Sequence, residues 1–296
     1  MRITDTHVHL WDPRIRSYPW LQGRPELNAP RLAADLAGPA NGPADETGSA
    51  AVAKIVLIEA DCRPDQAPAE ALWLQDQARL DPRIGAVVAA VRLEDDAGLP
   101  AALERLHAIP LVRGVRRNFQ ALAPGALTAP AMLAGARAVA AAGLVFDATV
   151  RCAQLPELEA FARQVPELTV VLDHLGKPPV AGGAVGPWAR DLQRLASCSN
   201  VSVKISGLAP EANPAKPLQP QIRPFLAAAL DVADPARLLL GSDWPVSTAR
   251  TPLDTYASWW TLLLEDTLTV LSPPERAAVA EGNAERIYMK AGTAHE

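Results

Sequence analysis

The sequence predicts an α/β chain that closes as a single (β/α)8 TIM barrel over residues 1–296. Three observations carry this. Eight short apolar runs are separated by stretches of helical period; strands that alternate with helices pair in parallel, and eight such units close most simply as a barrel. The length of 296 residues suits one barrel of roughly 250 residues with insertions. The first run lacks the Gly-rich turn of a dinucleotide-binding open sheet, the main rival architecture.

In chain order the strand candidates are residues 3–10, 54–61, 84–93, 112–119, 144–151, 168–176, 201–208 and 238–244. Helical patterns fall at 70–80, 100–107, 130–142, 156–165, 187–196 and 220–232, several with Pro at or near the start, where its missing N–H costs nothing. A final helix is expected over 273–289, with the residues after Lys290 loose. Long connections follow strands 1, 6 and 7, at 11–53, 177–187 and 209–220. They leave the carboxyl ends of strands, the face where barrel enzymes place their sites. Their Pro and Gly, densest at 38–49, suggest partly ordered lids.

Composition excludes several classes. A net charge of −5 without a Lys/Arg block gives no footing for nucleic acid. The apolar stretch 138–150 is broken by Gly143 and Asp147 and is too short to span a bilayer. The chain opens directly on a strand-like run, without the basic and apolar regions of a signal peptide. Cys62, Cys152 and Cys198 are odd in number and widely spaced, which argues for buried thiols in a reducing compartment. The expectation is a cytoplasmic protein acting on a small molecule, with neither a nucleic-acid nor a membrane partner.

The chemistry sits at strand ends. His7 and His9 are two apart on strand 1, so both project to one side, with Asp5 a layer below. His174 stands where the apolar run of strand 6 stops, and Asp243 where that of strand 8 stops, beside Gly241 and Ser242. A carboxylate there is costly to desolvate unless paired or coordinated. Imidazoles with a carboxylate suit one divalent cation, zinc or manganese, so His7, His9, His174 and Asp243 are the expected metal ligands. Such a cation polarises a carbonyl and acidifies bound water. His174 and Asp243 are the expected catalytic pair, Asp243 as general base. His107, in a helix, and His295, in the tail, are read as ordinary residues.

Other candidates are weaker. Glu59, read as sharing an inward face with Ile55 and Leu57, is expected to contact substrate, with Asp61 less defined. Arg116 and Arg117 alternate, so one faces in; Arg116 is favoured as the carbonyl or anion contact. Trp20 and Trp244 are expected to stack on the substrate, and Asp147, Arg151 and Lys204 serve the site or pair beneath it. There is no Gly-x-Ser-x-Gly elbow and no phosphate loop.

Taken in order, several blocks resemble the amidohydrolase-2 family. They are Asp5-Thr6-His7-Val8-His9-Leu10-Trp11-Asp12-Pro13 with Tyr18-Pro19-Trp20-Leu21, then Asp173-His174-Leu175-Gly176-Lys177-Pro178 and Val203-Lys204-Ile205-Ser206-Gly207-Leu208. Gly241-Ser242-Asp243-Trp244-Pro245 and Gly282-Asn283-Ala284-Glu285-Arg286-Ile287-Tyr288 complete the series. The chain looks most like the branch that holds sugar-acid lactonases (L-fucono- and L-rhamnonolactone hydrolases) and pyrone dicarboxylate lactonase. The resemblance implies that His7, His9 and His174 bind a metal or the carbonyl oxygen and that Asp243 activates water. Strands 4 and 5 offer no evident bridge to a second metal, and the branch includes members thought to work without one. One cation, not always required, is therefore the expectation, and a small homo-oligomer is common among such enzymes. The expected activity is opening of a neutral sugar lactone, with Tyr18, Trp20, Asn28, Glu211, Asn213 and Trp244 as the loop set that reads it. The alternatives are a pyrone dicarboxylate lactonase, a metal-dependent non-oxidative decarboxylase and, remotely, a silent metabolite-binding barrel.

Overall fold

The computed structural model describes residues 1–36, 51–249 and 256–289. Most of the Gly/Pro-rich part of the first loop, His295 and the tail after Lys290 lie outside the described residues. The strands are β1 (Arg2–His9), β2 (Ala51–Ile58), β3 (Ile84–Ala90), β4 (Val112–Asn118), β5 (Val145–Thr149), β6 (Val170–Leu172), β7 (Val201–Ile205) and β8 (Leu238–Leu240). They form one sheet in sequential order, and every pair is parallel. The helices are α1 (Ala33–Leu36), α2 (Ala67–Gln77), α3 (Leu99–His107), α4 (Pro130–Ala141), α5 (Leu155–Gln164), α6 (Val185–Ala196), α7 (Leu218–Val232), α8 (Tyr256–Asp266) and α9 (Pro273–Ala277). This is the (β/α)8 barrel expected from the alternation.

The barrel closes between β8 and β1. His9 N donates to Trp244 O (2.8 Å) and Asp243 N to His7 O (2.8 Å). Asp5 stitches the same seam: its Oδ1 accepts from His7 N (3.1 Å) and Ser242 N (2.9 Å), and its Oδ2 accepts from Tyr256 OH (3.0 Å). Burial nevertheless pushes the Asp5 carboxyl up to about 6. Asp5 thus joins strands at the seam; a register shift between Asp5 and Val8 breaks the alternation, and the bond from Tyr256 of α8 turns the Asp5 carboxylate toward the helical layer, not a layer below His7 as expected.

Two faces of the strands read as two clusters. Ile55 and Leu57 of β2 pack with the helices, whereas Val56 and Ile58 join Ala86, Val88, Val145, Val171 and Leu239 inside the barrel. This corrects the expectation that Glu59 shares an inward face with Ile55 and Leu57. The helical tail plugs the interior: Ala284 and Tyr288 are buried in that inner cluster. Asn283 Nδ2 donates to Pro235 O and Leu238 O, both at 2.8 Å, and Tyr288 OH donates to Asp147 Oδ1 (2.8 Å). This tail combines α9 with π-helical turns at Ala278–Gly282 and Glu285–Met289.

Three departures from the sequence reading matter. Strands β6 and β8 have three residues each, because the backbone turns left-handed at His174 (φ 56°) and Asp243 (φ 57°). Helix α8 was not anticipated; Tyr256, Trp259, Trp260 and Leu263 form its buried face. Arg151 follows β5 and is exposed, so it does not face the interior. Among the described residues no helix is long and apolar enough to cross a membrane. All three cysteines are free, with Cys62 and Cys198 buried and Cys152 half-buried.

The loop after β1 folds back as its own small core of Trp11, Tyr18, Leu21, Leu27, Ala60 and Cys62, with Trp20 against it. Beneath it Glu70 of α2 is 1% exposed, and its Oε1 accepts a long hydrogen bond from Ala60 N (3.4 Å). Burial and the nearby Glu59 push its carboxyl up to about 8. An unfolded Glu ionises near 4.5. Between those values the folded chain keeps a proton that the unfolded chain releases, so stability falls as pH rises through that window. Glu70→Gln removes this cost, which is on the order of a few kcal/mol at pH 7.5. Its melting temperature should exceed the parent's by several degrees at pH 7.5 and match it at pH 4. An equal shift at both pH values would show that ionisation plays no part.

Candidate active site

The carboxyl ends of the strands surround a cavity of about 240 Å³ whose lining includes His9, Trp20, Arg24, Asp61, Arg116, Asn118, Gln120, His174, Lys177 and Asp243. A larger groove of about 370 Å³ runs between α7 and α8, but Glu265 is the one charged residue on its wall and it holds no His. The chemistry lies in the first cavity.

His7, His9, His174 and Asp243 come together as the sequence indicated. Asp243 Oδ1 is 3.8 Å from His7 Nε2, 3.6 Å from His9 Nε2 and 3.9 Å from His174 Nε2. Each ring is held by its other nitrogen. His9 Nδ1 lies 2.9 Å from Glu59 O and 3.1 Å from Ile58 O, so it must donate. His174 Nδ1 pairs with Ser206 Oγ (2.9 Å). His7 Nδ1 lies 3.2 Å from Asp173 Oδ1 and 3.2 Å from Lys204 Nζ. His9 Nδ1, by donating, turns its Nε2 lone pair toward Asp243; His7 Nδ1 accepts from the Lys204 ammonium, and binding a cation at its Nε2 would need the other tautomer, with the Nδ1 proton facing Asp173 Oδ1.

Electrostatics keep the set ready for a cation. Burial pushes the His7 and His174 imidazoles well below their ordinary value, against the pull of Asp173 on His7 and of Asp243 on His174. Both are neutral at neutral pH, as ligands must be. Burial opposes charge on Asp243, but His174, His9 and the Ser247 hydroxyl outweigh it and hold its carboxyl below the usual range. Ser247 Oγ donates to Asp243 Oδ2 (2.7 Å), which leaves Oδ1 to face the imidazoles.

This donor set fits one divalent cation. The Nε2 atoms of His7 and His9 are 3.1 Å apart; two bare lone pairs at that distance repel unless a proton or a cation lies between them. His7 Nε2, His9 Nε2 and Asp243 Oδ1 lie 3.1–3.8 Å from one another, the spacing of ligands around one small ion, and His174 Nε2 lies 3.9 Å from the same carboxylate oxygen. His7, His9 and Asp243 form one possible ligand group, and His7, Asp173 and His174 another. His7 is common to both, which favours a single ion.

A charged layer supports the cluster. Arg116 Nη1 donates to Glu59 Oε1 (2.6 Å), and its Nε donates to Thr149 Oγ1 (2.9 Å) and Asp173 Oδ2 (3.2 Å). Its Nη2 takes no hydrogen-bond partner among the described residues, and Arg116 lines the cavity. Arg117 points outward to Glu94 (2.6 Å), which resolves the pair as expected. Lys204 is fully buried between Asp147 Oδ2 (2.7 Å) and Asp173 Oδ1 (3.0 Å), so it is a structural ion pair beneath the site. Asp173, fully buried against Lys204, His7 and Arg116, is held well below the carboxylate range despite the burial that opposes it.

Two expected substrate contacts are placed elsewhere. Glu59 is not part of the cavity wall; its carboxylate is committed to Arg116 and to Asp61 N (2.6 Å). Trp244 is 6% exposed, packs in the main hydrophobic cluster and is not part of the cavity wall. Trp20 does line the cavity and donates its Nε1 to Ala60 O (2.8 Å). Of the remaining loop set, Tyr18, Asn28, Glu211 and Asn213 do not line it. Asn118, the last residue of β4, and Gln120, just after it, take that place and were not anticipated.

Sequence reasoning gave no role to Ser206, Gly207 or Ser247, and read Gly241 as leaving room around Asp243. The glycines clear space for imidazoles. A Cβ on Gly207, whose φ is +62°, would lie 2.2 Å from His174 Nδ1, and one on Gly241 would lie 2.7 Å from His7 Cβ. The available signal was small residues at the ends of strands that carry a His or an Asp.

The chain is similar to known proteins along nearly its whole length. The amidohydrolase family pattern matches residues 4–290. An L-fucono-1,5-lactonase of Burkholderia ambifaria is 33% identical over 288 residues, 96% of this chain and 94% of that protein. A second L-fucono-1,5-lactonase, from Burkholderia multivorans, is 31% identical and covers 96% of this chain and 95% of its own. A crystal structure of an amidohydrolase from Burkholderia multivorans with bound zinc superposes with a TM-score of 0.84 at 29% identity, covering 97% of this chain and 99% of that one.

Proposed function

The chain belongs to the amidohydrolase family, and from that premise we propose that it hydrolyses a neutral sugar-derived lactone, of the L-fucono-1,5-lactone class, to the sugar acid. The observation that carries this is the convergence of three imidazole Nε2 atoms on Asp243 Oδ1, with the free Nη2 of Arg116 in the same cavity. The names of two similar lactonases support the substrate class.

His7, His9, His174 and Asp243 would hold the cation, with zinc favoured by the nitrogen-rich set and by the zinc-bound relative. When bound, the ion polarises the carbonyl and makes water acidic enough for a weak carboxylate base. Asp243 takes a proton from the water as its oxygen attacks the lactone carbonyl carbon. Arg116 Nη2 donates to the carbonyl oxygen as negative charge builds there. The bond from the carbonyl carbon to the ring oxygen breaks, and Asp243 returns the proton to that oxygen. The open product carries a free hydroxyl and a carboxylic acid, which loses its proton to solvent.

Incubation with a panel of aldonolactones, following acid release, tests the reading. Turnover of at least one sugar lactone is expected; release of CO2 from an aromatic acid, with no lactone opened, would favour a decarboxylase instead. Metal content should be one ion per chain. Two ions per chain, both needed for turnover, would reject the mononuclear site. Full activity after verified metal loss would favour carbonyl binding by the histidines alone.

A further inference from the structure

Outside glycine, five described residues adopt positive φ: Asp61, His174, Leu175, Lys177 and Asp243. All follow the carboxyl ends of β2, β6 and β8, and four of them line the cavity. Backbone strain of this kind is kept where surrounding structure fixes it for a purpose. His174 and Asp243 are accounted for by the cluster, and Lys177 pairs with Glu211 (3.3 Å). Of the four that line the cavity, Asp61 alone has neither a place in the cluster nor an ion-pair partner among the described residues.

Its backbone is firmly anchored. Asp61 N donates to Glu59 Oε2 (2.6 Å), and the same carboxylate holds Arg116 Nη1 (2.6 Å). Asp61 is thus fixed relative to the guanidinium that faces the lactone carbonyl. Its side chain is exposed at the cavity wall. Oδ2 accepts a long hydrogen bond from Asn118 Nδ2 (3.4 Å), and Oδ1 takes no hydrogen-bond partner among the described residues. Gln120 Nε2 donates to Asn118 Oδ1 (3.1 Å), which sets the Asn118 amide so that its nitrogen faces Asp61. A carboxylate accepts only, and it has several lone-pair sites open here. The groups that match it are donors, and the donors of a sugar lactone are its hydroxyls.

We propose that Asp61 is the specificity-determining residue of this site, accepting hydrogen bonds from substrate hydroxyls on the part of the ring away from the scissile carbonyl. This rests on the lactonase reading and deepens it. Hydrogen bonds to a charged acceptor change affinity by roughly 10- to 100-fold each.

The experiment pairs enzyme variants with substrate analogues. Wild type, Asp61→Asn and Asp61→Gly are assayed on L-fucono-1,5-lactone and on its monodeoxy analogues. Asn tolerates the left-handed backbone and Gly relieves it, so the two variants separate the carboxylate from the strain. With the parent lactone both variants should lose 10- to 100-fold in kcat/KM, mostly through KM. With wild type, removing at least one hydroxyl should cause a similar loss, and in both variants the same removal should matter less than threefold. The proposal is overturned if each hydroxyl deletion affects the variants as much as wild type, which is the pattern of a structural residue. It is also overturned if neither variant loses activity on the parent lactone. If wild type opens no sugar lactone at all, the lactonase reading itself fails, and the inference falls with it.

Discussion

Asp243→Asn is expected to lower kcat by about 10²–10⁴ while the fold survives, because it removes the general base and weakens one ligand of the cation. Asn has the size of Asp and is among the few residues that accept a φ of 57°, the angle found at Asp243. The backbone bond from residue 243 N to His7 O (2.8 Å), which helps close the barrel, does not involve the side chain. What changes is Oδ1, which faces the three Nε2 atoms at 3.6–3.9 Å. An amide there cannot take a proton from water, and it is a poorer ligand for a cation. The melting transition should stay within a few degrees of wild type. A purified variant that keeps more than a tenth of the parent's kcat would remove Asp243 from the role of base.

Much of this site can be read from strand arithmetic. His7 and His9 share a side because side chains alternate, and Arg116 faces in with Gly114 by the same rule, so Arg117 must face out. His174 and Asp243 stand out because an apolar run stops at a polar residue. Where the chain leaves regular strand geometry, the arithmetic ends. Glu59 follows the last residue of β2 and is drawn to Arg116 and Asp61 N, contacts that no periodicity encodes. Trp244 lies just past the left-handed turn at Asp243, so alternation no longer gives the direction of its ring. Helix α8 escaped notice because Leu262 and Leu264 blur the polar face set by Ser258, Thr261 and Glu265. The partners Asp173, Ser206 and Ser247 needed the fold, since each acts on a ring or carboxylate that it approaches only in three dimensions.

The charge layer also decides which lactone fits. A neutral aldonolactone should be opened at least 100-fold faster, in kcat/KM, than pyrone dicarboxylate, because a buried carboxylate left without a free cation costs several kcal/mol. The inward cations already pair with protein carboxylates, with Arg116 Nη2 left for the lactone carbonyl. Arg116 is bonded to Glu59 and Asp173, and Lys204 to Asp147 and Asp173. Arg151, once a candidate for the interior, is exposed. At the cavity wall Arg24 is paired with Glu26 (2.5 Å) and Lys177 with Glu211 (3.3 Å). Asp61 adds a negative group to the same wall. A dicarboxylate would have to break these pairs and lie beside Asp61, whereas a polyhydroxylated ring needs the mixed donors and acceptors that Asp61, Asn118 and Gln120 offer. The measurement is a side-by-side kcat/KM comparison of L-fucono-, L-rhamnono- and galactonolactones with pyrone dicarboxylate. A preference for the dicarboxylate would mean that Arg24 and Lys177 leave their partners on binding. It would sink the neutral-lactone assignment while leaving the hydrolytic role of the His/Asp cluster intact.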